Sequence, residues 1–84
     1  MTLAGQVAEV RWVYYTAATL GRWSLEAGVF TGRVVDADPY RLQQRPLTVL
    51  IPKQGRPWEW PITDVAIVGG QLTGRVTVTD QVPA

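Results

Sequence analysis

Val65-Ala66-Ile67-Val68-Gly69-Gly70-Gln71-Leu72-Thr73-Gly74-Arg75-Val76-Thr77-Val78-Thr79-Asp80 decides the fold. Two β-prone runs meet at two glycines, and glycine alone reaches the positive φ angles of a tight primed turn without a steric penalty. The stretch therefore reads as a β-hairpin. A near copy stands 42 positions earlier: Trp23-Ser24-Leu25-Glu26, then Ala27-Gly28, then Val29-Phe30-Thr31-Gly32-Arg33-Val34-Val35-Asp36-Ala37-Asp38. Gly28 matches Gly70, Thr31-Gly32-Arg33-Val34 matches Thr73-Gly74-Arg75-Val76, and Asp38 matches Asp80. The echo between residues 23–38 and 65–80 reads either as an internal duplication or as two hairpins converging on one geometry. In each copy a glycine, Gly32 or Gly74, sits mid-strand, where glycine marks a bend or a close backbone approach of the kind that curls a small sheet.

Outward from the hairpins, Val7-Ala8-Glu9-Val10-Arg11-Trp12-Val13-Tyr14-Tyr15-Thr16 alternates with period two, which predicts a strand with Val10, Trp12 and Tyr14 facing inward. Thr16–Arg22 has a capping threonine followed by alanines, and is the segment expected to hold a single helical turn. Asp36–Gln44 carries Pro39 and turn-forming aspartates and reads as an exposed connector. Leu47-Thr48-Val49-Leu50-Ile51 is a nearly continuous apolar run of strand length, expected to be covered on both faces. After a turn at Lys53-Gln54-Gly55-Arg56, Pro57–Ile62 is a strand with Trp58, Trp60 and Ile62 on one face. Its prolines confine it to an edge or to pairing on one side. Thr63-Asp64 reads as a turn, and residues 1–6 and 81–84 as loose ends.

The sum is a single domain over residues 1–84 of the all-β class. It is a five- to six-stranded antiparallel barrel, SH3-like or OB-like, or a compact sandwich, with at most one short helical turn. With 46% hydrophobic and 18% charged residues, the 84-residue chain has the composition of a small globular domain. No apolar run has membrane-spanning length and the N-terminus lacks a signal-peptide pattern, so the expected location is cytoplasmic.

The absence of cysteine and histidine removes disulfides, thiolate nucleophiles, imidazole bases and the usual zinc ligands together. Asp36 and Asp38 could lie on one side of a strand, but a pair without a third ligand is the ordinary pattern of a solvated turn. No phosphate loop, dinucleotide fingerprint or nucleophile motif is present, so the expectation is a non-enzymatic protein without metal or cofactor. Binding is the remaining class. Residues 39–61 interleave Tyr40, Trp58 and Trp60 with Arg41, Arg45, Lys53 and Arg56, and these seven form the expected partner surface. Aromatics and arginine are enriched at protein interfaces, and a net charge of +1 suits a protein partner or a second copy in a dimer. The alternative is single-stranded nucleic acid, where rings stack bases at roughly 1–3 kcal/mol each and cations neutralise phosphate. Both readings require the tryptophans at the surface, although a small barrel also needs aromatic bulk inside.

Overall fold

Both hairpins form, and they pair with each other. The computed structural model describes residues 2–77, as six strands and one helical turn. In chain order these are β1 (Thr2–Trp12), β2 (Tyr15–Glu26), β3 (Val29–Ala37), α1 (Pro39–Leu42), β4 (Leu47–Ile51), β5 (Trp58–Val68) and β6 (Gln71–Val76). All pairings are antiparallel, and the order β1-β2-β3-β6-β5-β4 closes through β1 and β4 into a barrel. Closure selects the barrel over the sandwich. No described helix is long and apolar enough to cross a membrane.

The sequence echo becomes a local two-fold in the fold. Thr31 pairs with its counterpart Thr73, which sets Phe30 opposite Gly74 and Gly32 opposite Leu72. The amide of Val34 donates to the Gly70 carbonyl and that of Val76 to the Gly28 carbonyl, each at 2.9 Å. Arg22 and Asp64, also counterparts, both have positive φ (34° and 54°) where the hairpins shift register. The relation extends to the outer strands, since β1 pairs with β4 around Val10 and Val49. Sequence alignment at one offset misses this because the β4–β5 connection is longer than the β1–β2 turn.

Alternating residues line the interior. Val10, Leu20, Trp23, Leu25, Phe30, Leu47, Val49, Trp60, Ile62 and Leu72 are buried, and no polar or charged residue among those described is. Leu20 packs on Gly32 and Ile62 on Gly74 so closely that a Cβ on Gly74 would lie 2.7 Å from the Ile62 side chain. The mid-strand glycines thus serve close approach, as expected. The Trp23 indole donates to the Val7 carbonyl at 3.0 Å, whereas the buried Nε1 of Trp60 has no acceptor among the described residues.

Four expectations are corrected. Thr16–Arg22 is β-strand, because β1 and β3 pair with it from both sides and override weak helical signals. The helical turn lies instead at Pro39–Leu42. Residues 2–6 belong to β1, with Thr2 opposite Glu26, while the tail at 81–84 lies outside the described residues. Thr63-Asp64 is a bulge within β5, not a turn between strands. Among the described residues, 58–61 pair only with β4, as their prolines lead one to expect, and β4 turns one face to the core with Thr48 and Leu50 half-buried on the other.

Gly74→Ala should lower stability by about 1–3 kcal/mol, since buried Ile62 cannot retreat from the added methyl. Gly32→Ala should cost less, its nearest neighbour being the Leu20 methyl at 3.1 Å. Urea unfolding of both variants measures the difference.

Candidate functional site

The β1–β2 turn is where the chain departs from its own pattern. Trp12 pairs with Tyr15 across Val13-Tyr14, and Val13 takes φ 56°. A two-residue turn with positive φ at its first central position is normally reserved for glycine. A β-branched residue there is strained by about 1–2 kcal/mol, and such strain gathers at functional sites. The turn reverses the strand before Tyr14 can point inward. Tyr14 is therefore 84% exposed, correcting its expected place in the core, and Tyr15 is 50% exposed.

Beside this turn stands α1. Asp38 caps it: Oδ1 accepts the Arg41 amide at 3.2 Å, Pro39 occupies the first turn, and the Asp38 amide donates to the Ala17 carbonyl of β2 at 2.8 Å. A four-residue helix would otherwise be marginal, and this anchor fixes it against β2. Tyr40, 68% exposed, then meets Trp12 edge-to-face at 6.5 Å, while Trp12 and Tyr15 lie 5.6 Å apart. The Arg41 guanidinium stacks over Tyr15 at 4.8 Å, donates to the Thr16 carbonyl at 3.1 Å and pairs with Asp38 at 3.4 Å. Trp12, Tyr15, Tyr40, Asp38 and Arg41 line an open groove of about 350 Å³.

The seven expected surface residues do not meet at one place. Tyr40 and Arg41 stand in the aromatic cluster. Arg45 follows α1 and donates to the Leu42 and Gln44 carbonyls at 3.1 and 2.6 Å, so it closes the helical turn. Lys53, Arg56 and Trp58 lie at the other end of β4, about 13 Å away at about 3.3 Å per strand residue. There Lys53 sits 4.0 Å above the half-buried Trp58 ring. Trp60 is corrected outright: it is buried, 5.4 Å from Trp58, and its indole fills the core.

One aromatic at this end, Tyr14, escapes the sequence pattern. Period-two alternation sets Trp12 and Tyr14 inward and Val13 and Tyr15 outward. Tyr15 is indeed exposed and Trp12 is half-buried against the core, but Tyr14 is misplaced because Val13-Tyr14 contains no glycine, proline, asparagine or aspartate to announce a turn. The positive φ of Val13, itself exposed as alternation expects, has no signal in the sequence.

The charges at this end are engaged within the chain. Arg11 lies 3.4 Å from Glu9, near enough for charge pairing but without hydrogen-bond geometry at Nε, and its Nη2 donates to the Tyr14 carbonyl at 3.3 Å. Asp36 accepts from the Ala37 amide at 3.0 Å, so neither aspartate of the Asp36/Asp38 pair is free of a local partner. Among the described residues no three metal-ligating side chains converge. Comparison with protein-family models, with curated proteins and with solved structures gave no match.

Val13→Gly should raise stability by about 1 kcal/mol by relieving the turn. Asp38→Ala should loosen α1 by about 1 kcal/mol, seen as faster hydrogen exchange at the Arg41 amide, with Asp38→Asn largely retaining the cap.

Proposed function

We propose that the protein is a non-enzymatic binding module that holds another protein through the aromatic end formed by Trp12, Tyr14, Tyr15 and Tyr40. The observation that carries this reading is the convergence of three exposed tyrosines and a half-buried tryptophan on one strained turn and one capped helical turn. Large exposed aromatics on a small domain are anchors for a partner, because they supply contact area with few rotatable bonds to immobilise.

Charge favours a protein over a nucleic acid at this end. Arg41 and Arg11 are paired with Asp38 and Glu9, so the cations nearest the rings are already neutralised. Against catalysis, each described carboxylate has a partner in its own chain. Glu9, Asp38 and Asp64 pair with arginines, Glu26 and Glu59 accept threonine hydroxyls, and Asp36 accepts an amide. With no buried polar or charged residue described, nothing in the interior resembles a desolvated acid or base of the kind catalysis draws on.

Selection of random displayed peptides on the immobilised full chain should yield binders whose affinity falls about tenfold or more in the Tyr14→Ala, Tyr40→Ala double variant. Raising salt from about 0.05 to 0.3 M should change it little. Binders indifferent to both substitutions would overturn the proposal. So would a labelled single-stranded oligonucleotide that binds tightly and is released steeply by salt.

A further inference from the structure

The two halves of the barrel also differ in how far the first strand covers the second. In the first half, β1 runs the whole length of β2, with Thr2 opposite Glu26, Leu3 opposite Leu25 and Val7 opposite Gly21. In the second half, β4 begins only at Leu47, opposite Ile62. The chain ahead of it is taken up by α1 and the turn that follows, so residues 63–68 of β5 pair, among the described residues, only with β6.

The consequence is visible in two counterpart residues. Leu25, covered by β1, is 3% exposed, whereas Ile67, its counterpart on the same interior-facing side of the strand, is 41% exposed. Val68 beside it is 77% exposed. Val68 and Gln71 close a two-residue turn and exchange their hydrogen bonds, so strand alternation turns the N–H and C=O of Ile67 toward the open side. An apolar side chain that belongs to a core face and a backbone donor and acceptor without a strand partner among the described residues thus share one residue.

We propose that this edge of β5 receives an extended segment of a partner protein as an added antiparallel strand, with an apolar side chain over Ile67. The chain itself shows the chemistry that fits. The counterpart edge of β2 is covered by Thr2-Leu3-Ala4-Gly5-Gln6-Val7, which carries no charge, and Leu3 packs against the core there. The open edge, Val65-Ala66-Ile67-Val68, is likewise uncharged, and the nearby Asp64 carboxylate is held 3.7 Å from Arg75. An uncharged segment with alternating apolar residues therefore continues the sheet where β4 stops short, as in strand addition to an exposed edge. The bulge at Asp64 ends the flat edge after four residues, which limits open-ended pairing between copies. Self-pairing over those four residues falls well short of the roughly 800 Å² per partner of a stable dimer, whereas a partner can add contacts beyond the edge. This surface is separate from the aromatic end, and its test is independent of that one.

The chain has no cysteine, so Val68→Cys supplies a single thiol at a well-exposed position that tolerates change. By analogy with Thr2 and Glu26, Val68 would face the first residue of the added strand as a non-hydrogen-bonded pair, where Cβ atoms are closest and a disulfide fits. The probe is a synthetic peptide copying residues 2–9 with Thr2→Cys. Its controls are the same peptide with Leu3→Asp and the same peptide with a methylated Leu3 amide nitrogen. In a thiol redox buffer the first peptide should be captured about tenfold more than either control, and its capture should slow hydrogen exchange of the Ile67 amide about tenfold or more. Equal capture of the three peptides, or capture that leaves Ile67 exchange unchanged, would overturn the proposal. A dimer of the unmodified chain in sedimentation that Ile67→Asp dissociates would overturn it too, by giving the edge to a second copy.

Discussion

The pairing of β3 with β6 is the interaction on which the barrel depends. Phe30 lies opposite Gly74 and Leu72 opposite Gly32, so each hairpin sets a large side chain against the other's missing one. The fit brings Leu20 and Ile62 down onto the two glycines and fills the interior from both sides. Either glycine replaced by a larger residue would force these neighbours outward, and interiors packed at crystal density have little room to give. The reciprocal bonds from Val34 to Gly70 and from Val76 to Gly28 fasten the seam at its two ends.

From that seam the functional ends follow. The β1–β2 turn and the β4–β5 loop occupy equivalent places in the two halves, and each has a cation above the aromatic that starts the next strand. Arg41 lies over Tyr15, and Lys53 over Trp58. Only the first of these ends is flanked by α1, which adds Tyr40 and a capped, anchored helical turn. The asymmetry of the connector, not of the barrel, makes the aromatic groove.

The parts of the fold legible in the sequence are those where local chemistry and tertiary pairing agree. Gly69-Gly70 and Ala27-Gly28 mark turns that form, and the prolines beside Trp58 and Trp60 correctly restrict that stretch to one partner. Where the two disagree, the sequence misleads. Val13-Tyr14 continues a strand pattern through a turn, at the expense of backbone strain, and so hides Tyr14 from a surface reading. Asp38-Pro39 carries a capping residue and a helix-compatible proline, yet a single turn of helix is too short to show periodicity. Trp60 shares its strand face with Trp58, but alternation cannot say how deep in the barrel each residue lies; closure by β4 settles that. Arg45 is basic and near an aromatic in sequence, while its geometry directs it to carbonyls of its own chain.

The two-fold arrangement also bears on how the chain finds its structure. Within each half, every pairing joins strands adjacent in sequence: β1 to β2 and β2 to β3, then β4 to β5 and β5 to β6. Short connections bring such strands together at small entropic cost. Only two long-range registers remain to be found, β1 with β4 and β3 with β6. A slip of one residue in the second would swing a whole interior face into water and set Phe30 against a residue that has a Cβ. The glycine that relieves crowding in the finished barrel thereby makes its wrong alignments costly, and the same small residue serves as proofreader of the assembly.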